Sequence, residues 1–303
     1  MAESLGRGIG ISDNMFLSDD KSIARRIMSD LTVDTIGRME ADFLLESPLF
    51  IHGKWMVEKP VEDIDPLPML NIKMRKIYSF YDGLWTLRDN CVNSETVFLI
   101  EREGGRDERV SVNGMAYRYD CADSKIVDVS FTRSEIQDTR DKYSARISAL
   151  EESRITPELE VKMAGQSGRI GRAFKFLFAT RTSSSTLLKV AYQCSFLEAM
   201  FCTDSGEISH KIAERAAVFL GSDMEERARV YRFLKKAYSV RSRVIHGGAI
   251  SGDVEGLVGT CVELDGILRR IMNRVLSNTE EWDLFMKTER DAFDEHFLKR
   301  LLS

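Results

Sequence analysis

The residues best suited to chemistry lie near the end of a stretch with helical periodicity in the second half of the chain. Segment 238–247 reads Tyr-Ser-Val-Arg-Ser-Arg-Val-Ile-His-Gly and contains Arg241 and His246. The imidazole of a histidine titrates near neutral pH and can accept and donate protons. A guanidinium stays charged, and its planar fork matches the oxygens of a phosphate group. These residue types can therefore transfer protons beside a bound phosphate.

The geometry of a regular helix predicts the directions in which the side chains of Arg241 and His246 point. An α-helix turns through about 100° per residue, so five residues place Arg241 and His246 about 140° apart. The two therefore do not share one face of a regular helix, whereas Arg243 and His246 do. Arg243 is thus an alternative for the phosphate-binding role. His246 also has an interpretation without chemistry, because a histidine in the last turn of a helix interacts favourably with the terminal carbonyl groups.

Two preceding helices carry polar residues in apolar surroundings. A helix is predicted over 186–201, after several hydroxyl residues that can cap it, and Glu198 is its only acid. The next predicted helix, 207–220, carries Arg215 before an apolar run. A buried carboxylate needs a partner, since desolvating it alone costs several kcal/mol. We predict that Glu198 and Arg215 form an ion pair, either as part of a functional site or as a purely structural contact.

These segments, in this order, resemble HEPN ribonucleases. The Arg-x4-His spacing of Arg241 and His246 has the form of the HEPN motif. The surroundings resemble the Apea-like branch, in which a serine follows the arginine, as Ser242 does here. That branch also has a Leu-Glu pair in an apolar helix, here ending in Glu198, and then an arginine followed by small apolar residues, here Arg215.

The resemblance covers about residues 170–280 and implies a function. It implies a metal-independent endoribonuclease that cleaves RNA by 2′-OH attack and leaves a 2′,3′-cyclic phosphate. HEPN domains dimerise with these helix ends facing each other, so the resemblance also implies a homodimer with a shared cleft. It calls for no metal and no other cofactor. It further suggests a toxin-like or antiviral defence role, in which the N-terminal domain responds to an unknown trigger or inhibitor.

The candidate site residues fall into three groups. Catalysis is assigned to Arg241 and His246. Supporting roles are assigned to Ser242, Glu198, Arg215 and Tyr238. Contacts with the RNA backbone are assigned to Arg243, Arg169, Arg172 and Lys175, with Lys189 as a further candidate. A solvated basic surface is the alternative interpretation of the last group.

Two other functions are compatible with the same residues. One is a catalytically silent HEPN dimer that binds RNA or a nucleotide. The other is a scaffold protein, in which Glu198, Arg215 and Arg241 form a buried polar network. The scaffold interpretation predicts that Arg241→Ala lowers stability by several kcal/mol. The enzyme interpretation predicts that the same change mainly lowers the rate.

The fold class is predicted to be α+β, with two domains over 1–135 and 136–303. The first is mixed and contains a small antiparallel β-meander over 96–132, with a two-residue hairpin turn at Asn113-Gly114. The second is an all-α HEPN helical bundle. It begins with a charged linker helix and ends with an amphipathic helix over 282–302.

Composition narrows the setting of the protein. The 303 residues are 43% apolar and 30% charged, with five dispersed cysteines and four dispersed histidines. This pattern argues against a disulfide framework and a zinc site.

No stretch is long and apolar enough to predict a membrane span, and the simplest location is the cytoplasm. Residues 140–280 carry more basic than acidic residues, whereas the rest of the chain together carries more acidic ones, which permits a polyanionic partner for 140–280. Glycines at 165–171 lack the neighbouring strand and Lys-Ser/Thr of a P-loop.

Overall fold

The computed structural model describes residues 8–114, 120–147, 168–204, 206–247 and 254–302. Within them lie twelve α-helices and five strands, which form small antiparallel sheets. The chain divides into two compact units. Unit 1 comprises Met1–Leu84, Val92–Tyr117 and Ser130–Arg154. Unit 2 comprises Trp85–Cys91, Arg118–Val129 and Ile155–Ser303.

The units are interleaved along the chain. A single boundary after residue 135 would place Arg118–Val129 in the first domain, yet this segment groups with unit 2. One contact that holds it there is a hydrogen bond of 2.5 Å from the Nζ of Lys189 to the carbonyl of Cys121. Local periodicity carries no information about such contacts between residues that are distant in sequence.

Unit 1 contains a three-stranded antiparallel sheet that the sequence did not predict. Its strands are β1 (Ile9–Ser12), β2 (Met15–Ser18) and β3 (Phe50–Gly53), in that spatial order. Each strand has only four residues. Alternation over four residues is too short to separate a strand from a loop or a helix end.

The second sheet of unit 1 is a two-stranded hairpin. Strand β4 (Thr96–Glu103) pairs with β5 (Arg106–Gly114), and the turn between them is Gly104–Gly105, where both glycines have positive φ. The predicted turn at Asn113-Gly114 is wrong, because both residues lie in β5 and pair with Val97 and Thr96. Segment 125–131, predicted as a strand of the meander, forms none, and segment 115–119 lies outside the described residues.

The helices of unit 1 in the described part of the chain are α1 to α5. They span α1 (Lys21–Ile27), α2 (Asp30–Ile36), α3 (Arg38–Glu46), α4 (Pro66–Leu87) and α5 (Arg133–Ile147). The last turn of α4 falls in unit 2. Helix α5 groups with unit 1, although it was predicted to be the linker helix at the start of the second domain.

Among the residues that the structure describes, unit 2 contains seven helices, and the candidate site lies on several of them. They are α6 (Gly168–Thr182), α7 (Thr186–Phe201), α8 (Ile208–Leu220), α9 (Met224–His246), α10 (Val254–Ser277), α11 (Thr279–Lys287) and α12 (Arg290–Leu302). The predicted terminal helix over 282–302 is two helices, because Thr288 has extended backbone and ends α11. No helix among the described residues has the length and hydropathy needed to cross a membrane.

A cluster of aromatic rings joins α7, α8, α11 and α12. Phe285 is 2% exposed and lies at its centre, 5.3 to 6.5 Å from the ring centroids of its neighbours. The neighbours are Phe201, Phe219, Phe293 and Phe297. All four contacts are edge-to-face, an arrangement that adds to the stability gained from burial.

We expect Phe285→Ala to lower the free energy of unfolding by about 3–5 kcal/mol, because it leaves a cavity at the centre of this cluster. Chemical denaturation followed by circular dichroism measures the change. Leu298→Ala is the control, because Leu298 lies on α12 but is 48% exposed. Equal effects of the two changes would show that the aromatic cluster does not hold these helices together.

Ser222-x-x-Glu225 has the sequence of a capping box, which predicts that helix α9 begins one residue earlier than it does. Its N-cap is Asp223, whose carboxylate accepts a hydrogen bond from the N–H of Glu226, so the predicted Ser222–Glu225 capping box is wrong. The Glu226 carboxylate accepts from the backbone N–H and the hydroxyl of Ser222, both at 3.0 Å, and from Arg270. These contacts lower the pKa of Glu226 to about 2.

This pKa predicts a pH-dependent contribution to stability. Because the folded state holds the Glu226 carboxylate ionised, its contribution is present above the ordinary value of 4.5 and is lost as the pH falls toward about 2. We expect Glu226→Gln to melt at a lower temperature than the wild type at pH 7, with a difference that shrinks from pH 5 to pH 3. A melting difference that is independent of pH would contradict this account.

Candidate active site

The site is built where α9 packs against α7. Tyr238 is 7% exposed, and its hydroxyl donates a hydrogen bond of 3.0 Å to the carbonyl of Cys194. Val230, Leu234 and Ala237 on the same side of α9 are also buried. Tyr238 therefore supports the site by fixing the last turns of α9 against the central helix α7.

Arg241 lies one turn beyond Tyr238 and pairs with Glu198 of α7. The Nη2 of Arg241 is 3.4 Å from Oε1 of Glu198, and the two side chains are 29% and 25% exposed. The Nε of Arg241 is buried and has no hydrogen-bond partner in the part of the chain that the structure describes. The sequence thus predicted correctly that Glu198 has a charged partner, but Glu198 is half-buried rather than buried, and its partner is Arg241 rather than Arg215.

The surroundings of this ion pair shift the pKa values of its neighbours. Burial raises the pKa of Glu198, and the charge of Arg241 opposes that shift. Burial also raises the pKa of the Cys194 thiol to about 12 and that of the Tyr238 hydroxyl well above its ordinary value. Cys194 and Tyr238 therefore stay protonated at physiological pH and are not suited to act as bases there.

Arg215 belongs to a different cluster. It donates to the carbonyl of Phe201 at 2.7 Å and to Oγ1 of Thr203 at 3.2 Å, and it pairs with Asp294 of α12 at 2.7 Å. The predicted pairing with Glu198 is wrong, because the Arg215 side chain points to the C-terminal end of α7. It closes that end of the helix and ties it to α12. The partner Asp294 gave no signal in the sequence, since a surface acid on an amphipathic helix is ordinary.

The end of α9 exposes His246. This residue is the last of the helix and is exposed, and Gly247 follows in the left-handed conformation, with φ 70°, and donates to the carbonyl of Arg243. Ser242 is exposed, and the Nε of Arg243 contacts the carbonyl of Ser239 at 3.3 Å. Within one chain, Arg241 faces α7 while His246 faces solvent, as their spacing along α9 predicts.

The basic residues of α6 and α7 differ in accessibility. Arg169 donates to the carbonyl of Cys202 at 2.6 Å and lies 4.0 Å from the Phe293 ring centroid. Burial, with the nearby charges of Arg172 and Arg215, lowers the pKa of Arg169 to about 10. This arginine therefore packs as part of the unit.

The other three basic candidates also differ in how exposed their side chains are. Lys189 is 1% exposed, and its ammonium group is bonded to the carbonyl of Cys121, so its assignment as an RNA contact is wrong. Arg172 is half-buried and Lys175 is exposed, so these two keep surface positions on α6. Within the described ranges, no group of three His, Cys, Asp or Glu side chains is arranged to hold a metal ion.

The comparisons with known proteins add no relative from which this geometry could be interpreted. No protein-family model, no curated protein and no solved structure matches this chain.

Proposed function

We propose that the protein is a metal-independent endoribonuclease of HEPN type that acts as a homodimer. The observation that carries the proposal is the arrangement at the end of α9. Arg241 is held beside Glu198 with its side chain 29% exposed, and His246 is exposed at the last position of the helix. The order of these residues along the chain is that of the Apea-like HEPN motif.

The chemistry needs three contributions from the protein. RNA supplies its own nucleophile, so one group must accept the proton of the 2′-OH and another must give a proton to the leaving 5′-oxygen. Positive charge must also stabilise the phosphorane that forms between them. The imidazole of His246 suits both proton transfers, and the fixed charge of Arg241 suits the third task. The products are a 2′,3′-cyclic phosphate and a 5′-hydroxyl.

The separation of the two residues supports the proposed homodimer. Because they lie about 140° apart around α9, one chain cannot present both to the same phosphate without bending the helix. Two copies whose α9 ends face each other would place Arg241 and His246 of both chains around one cleft. Two imidazoles are then present, so one serves as the base and the other as the acid.

The proposed biological role is defence or toxicity through RNA cleavage. Unit 1 has its own sheets and helices and carries none of the proposed catalytic residues, so it is assigned the regulatory role. It would respond to a trigger or inhibitor and control the nuclease in unit 2. This assignment rests on analogy with the family that the sequence resembles.

Incubation of the purified full-length chain with total RNA and with a tRNA pool, in the presence of EDTA, tests the proposal. The expected result is discrete RNA fragments, with DNA of matched sequence left intact. DNA cleavage, or RNA cleavage that requires added Mg²⁺, would contradict a metal-independent ribonuclease.

A silent RNA-binding or scaffold dimer remains the second candidate, and the Glu198–Arg241 ion pair is the observation that favours it. The pair links α7 to α9 and is compatible with a purely structural role. Its partial exposure, however, limits what it contributes to stability. The effect of removing Arg241 on rate and on stability therefore separates the two functions.

A further inference from the structure

The solvent side of α9 carries a row of basic side chains that leads to His246. Arg229, Arg232, Lys236, Arg243 and His246 follow one another at intervals of three, four, seven and three residues. These intervals keep all five within a sector of about 100° around the helix. We call this row the α9 stripe. Arg229, Arg232, Lys236 and His246 are exposed, and Arg243 is half-buried.

The α9 stripe has little opposing charge on its own helix. Glu226 is the last acid of α9, and no Asp or Glu occurs between residues 227 and 246. Arg229 is 3.7 Å from Glu226, a long contact at the far end of the row. Lys235 adds a further ammonium group beside the stripe, where it contacts Ser209 at 3.0 Å. A row of cations with so few acids attracts a polyanion.

The opposite side of α9 argues against a membrane as that polyanion. Val230, Leu234, Ala237 and Tyr238 are buried against the rest of unit 2. A helix that lies on a membrane surface inserts its apolar face between the lipids. The apolar face of α9 is already packed, so only its charged side is available to a partner.

The length of the α9 stripe suits a short single strand. From Arg229 to His246 the helix rises about 25 Å at about 1.5 Å per residue. This length suits the lower end of the range of about 4–16 nucleotides that single-strand sites occupy. One row of side chains also matches one phosphodiester chain.

We propose that the α9 stripe binds the phosphate backbone of single-stranded RNA and delivers the strand to His246. This inference rests on the proposed ribonuclease function and identifies its substrate path. It moves the main RNA contact from α6, where Arg169 is engaged within the fold, to α9, where the row ends at the proposed catalytic histidine.

The salt dependence of RNA binding tests directly whether the α9 stripe contacts the phosphates. The probe is a fluorescent single-stranded RNA of 12 nucleotides with 2′-O-methyl groups, which has no free 2′-OH to attack. Each phosphate contact contributes about −0.7 to the slope of log K against log salt. We expect the double variant Arg232→Ala/Lys236→Ala to reduce the magnitude of this slope by about 1.4, and the affinity at 0.1 M salt by roughly 25-fold.

The control removes the same charge elsewhere in unit 2. Lys287→Ala/Lys299→Ala deletes two exposed lysines that pair with Asp283 and Glu295 on their own helices. It should keep the wild-type slope. Equal slopes for both double variants, or binding of the wild type to phosphatidylserine vesicles but not to the RNA probe, would overturn the proposal.

A parallel assay with cleavable RNA separates this inference from the proposed function. If the wild type cleaves RNA but the stripe variant binds the probe as tightly as the wild type does, the proposed role of the α9 stripe is wrong and the nuclease function stands. If the wild type binds the probe through the stripe and cleaves nothing, the path stands and the nuclease function fails.

Discussion

Replacement of His246 with Ala is expected to lower the rate of RNA cleavage by about 10²–10⁴-fold, the usual loss when a general acid or base is removed. The fold should be unaffected. His246 is exposed at the last position of α9, and the left-handed Gly247 that ends the helix contacts the backbone of Arg243 rather than the imidazole. Single-turnover cleavage of a defined RNA and thermal melting together measure both effects.

His210→Ala is the matched control for this change. His210 is another exposed histidine of unit 2, on α8, and its ring contacts the hydroxyl of Tyr231 at 2.8 Å. It lies away from the end of α9 and should leave cleavage within about threefold of the wild type, a change below 1 kcal/mol. Equal cleavage by wild type and His246→Ala would show that the activity resides elsewhere or in a contaminant.

Arg241→Ala is expected to lower kcat/KM by about 10²–10³-fold, as when one preorganised donor to a developing negative charge is removed. The expected loss of stability is small. Both side chains of the Glu198–Arg241 pair are about a quarter exposed and 3.4 Å apart, a geometry in which ion pairs contribute about 1 kcal/mol or less. Cleavage kinetics and chemical denaturation of the same preparation test both statements.

The scaffold function predicts the reverse pattern. Loss of several kcal/mol of stability, with unchanged kinetics in whatever fraction stays folded, would mean that Arg241 holds the helices together. Arg290→Ala is the control for loss of an arginine. The Arg290 side chain is 61% exposed, and its ion pair with Asp204 is long, at 3.8 Å. A large rate loss in Arg243→Ala but not in Arg241→Ala would assign the phosphate-stabilising role to Arg243.

The helices of unit 2 could be predicted well because their signals are local. Helix α7 spans the predicted residues, and Ser185 caps it by accepting a hydrogen bond from the N–H of Leu188 at 3.4 Å. Helix α9 ends at His246, near the end of the stretch with helical periodicity, and Gly247 follows in the left-handed conformation. Capping residues and periodicity act within a few positions, so one sequence reveals them.

The partners of buried charges could not be predicted in the same way. The sequence indicated that Glu198 needs a partner, but both Arg215 and Arg241 follow it on neighbouring helices. Which of the two arginines pairs with Glu198 depends on the rotation and tilt of α8 and α9 against α7, and packing sets both. The same reason explains why Asp294 was missed and why Lys189, a lysine in an apolar helix, was mistaken for a surface contact.

The strands of unit 1 were the least predictable elements. Asn113-Gly114 is a strong hairpin signal, yet the competing Gly104-Gly105 forms the turn and leaves Asn113 inside β5. Tertiary pairing decides between two such signals, because each register of a hairpin buries a different set of side chains. Strands β1 to β3 are short, and β3 lies more than 30 residues beyond β2, so their pairing is not visible locally.

The chemistry of the cut tests the central claim most directly. The substrate is an RNA with one ordinary ribonucleotide in an otherwise 2′-O-methyl chain, incubated in EDTA with wild type or His246→Ala and analysed by mass spectrometry. The account predicts one cut by the wild type, after the ribonucleotide, with a 2′,3′-cyclic phosphate and a 5′-hydroxyl, and almost none by the variant. Products with a 5′-phosphate, cuts at 2′-O-methyl positions, or equal cutting by both proteins would contradict it.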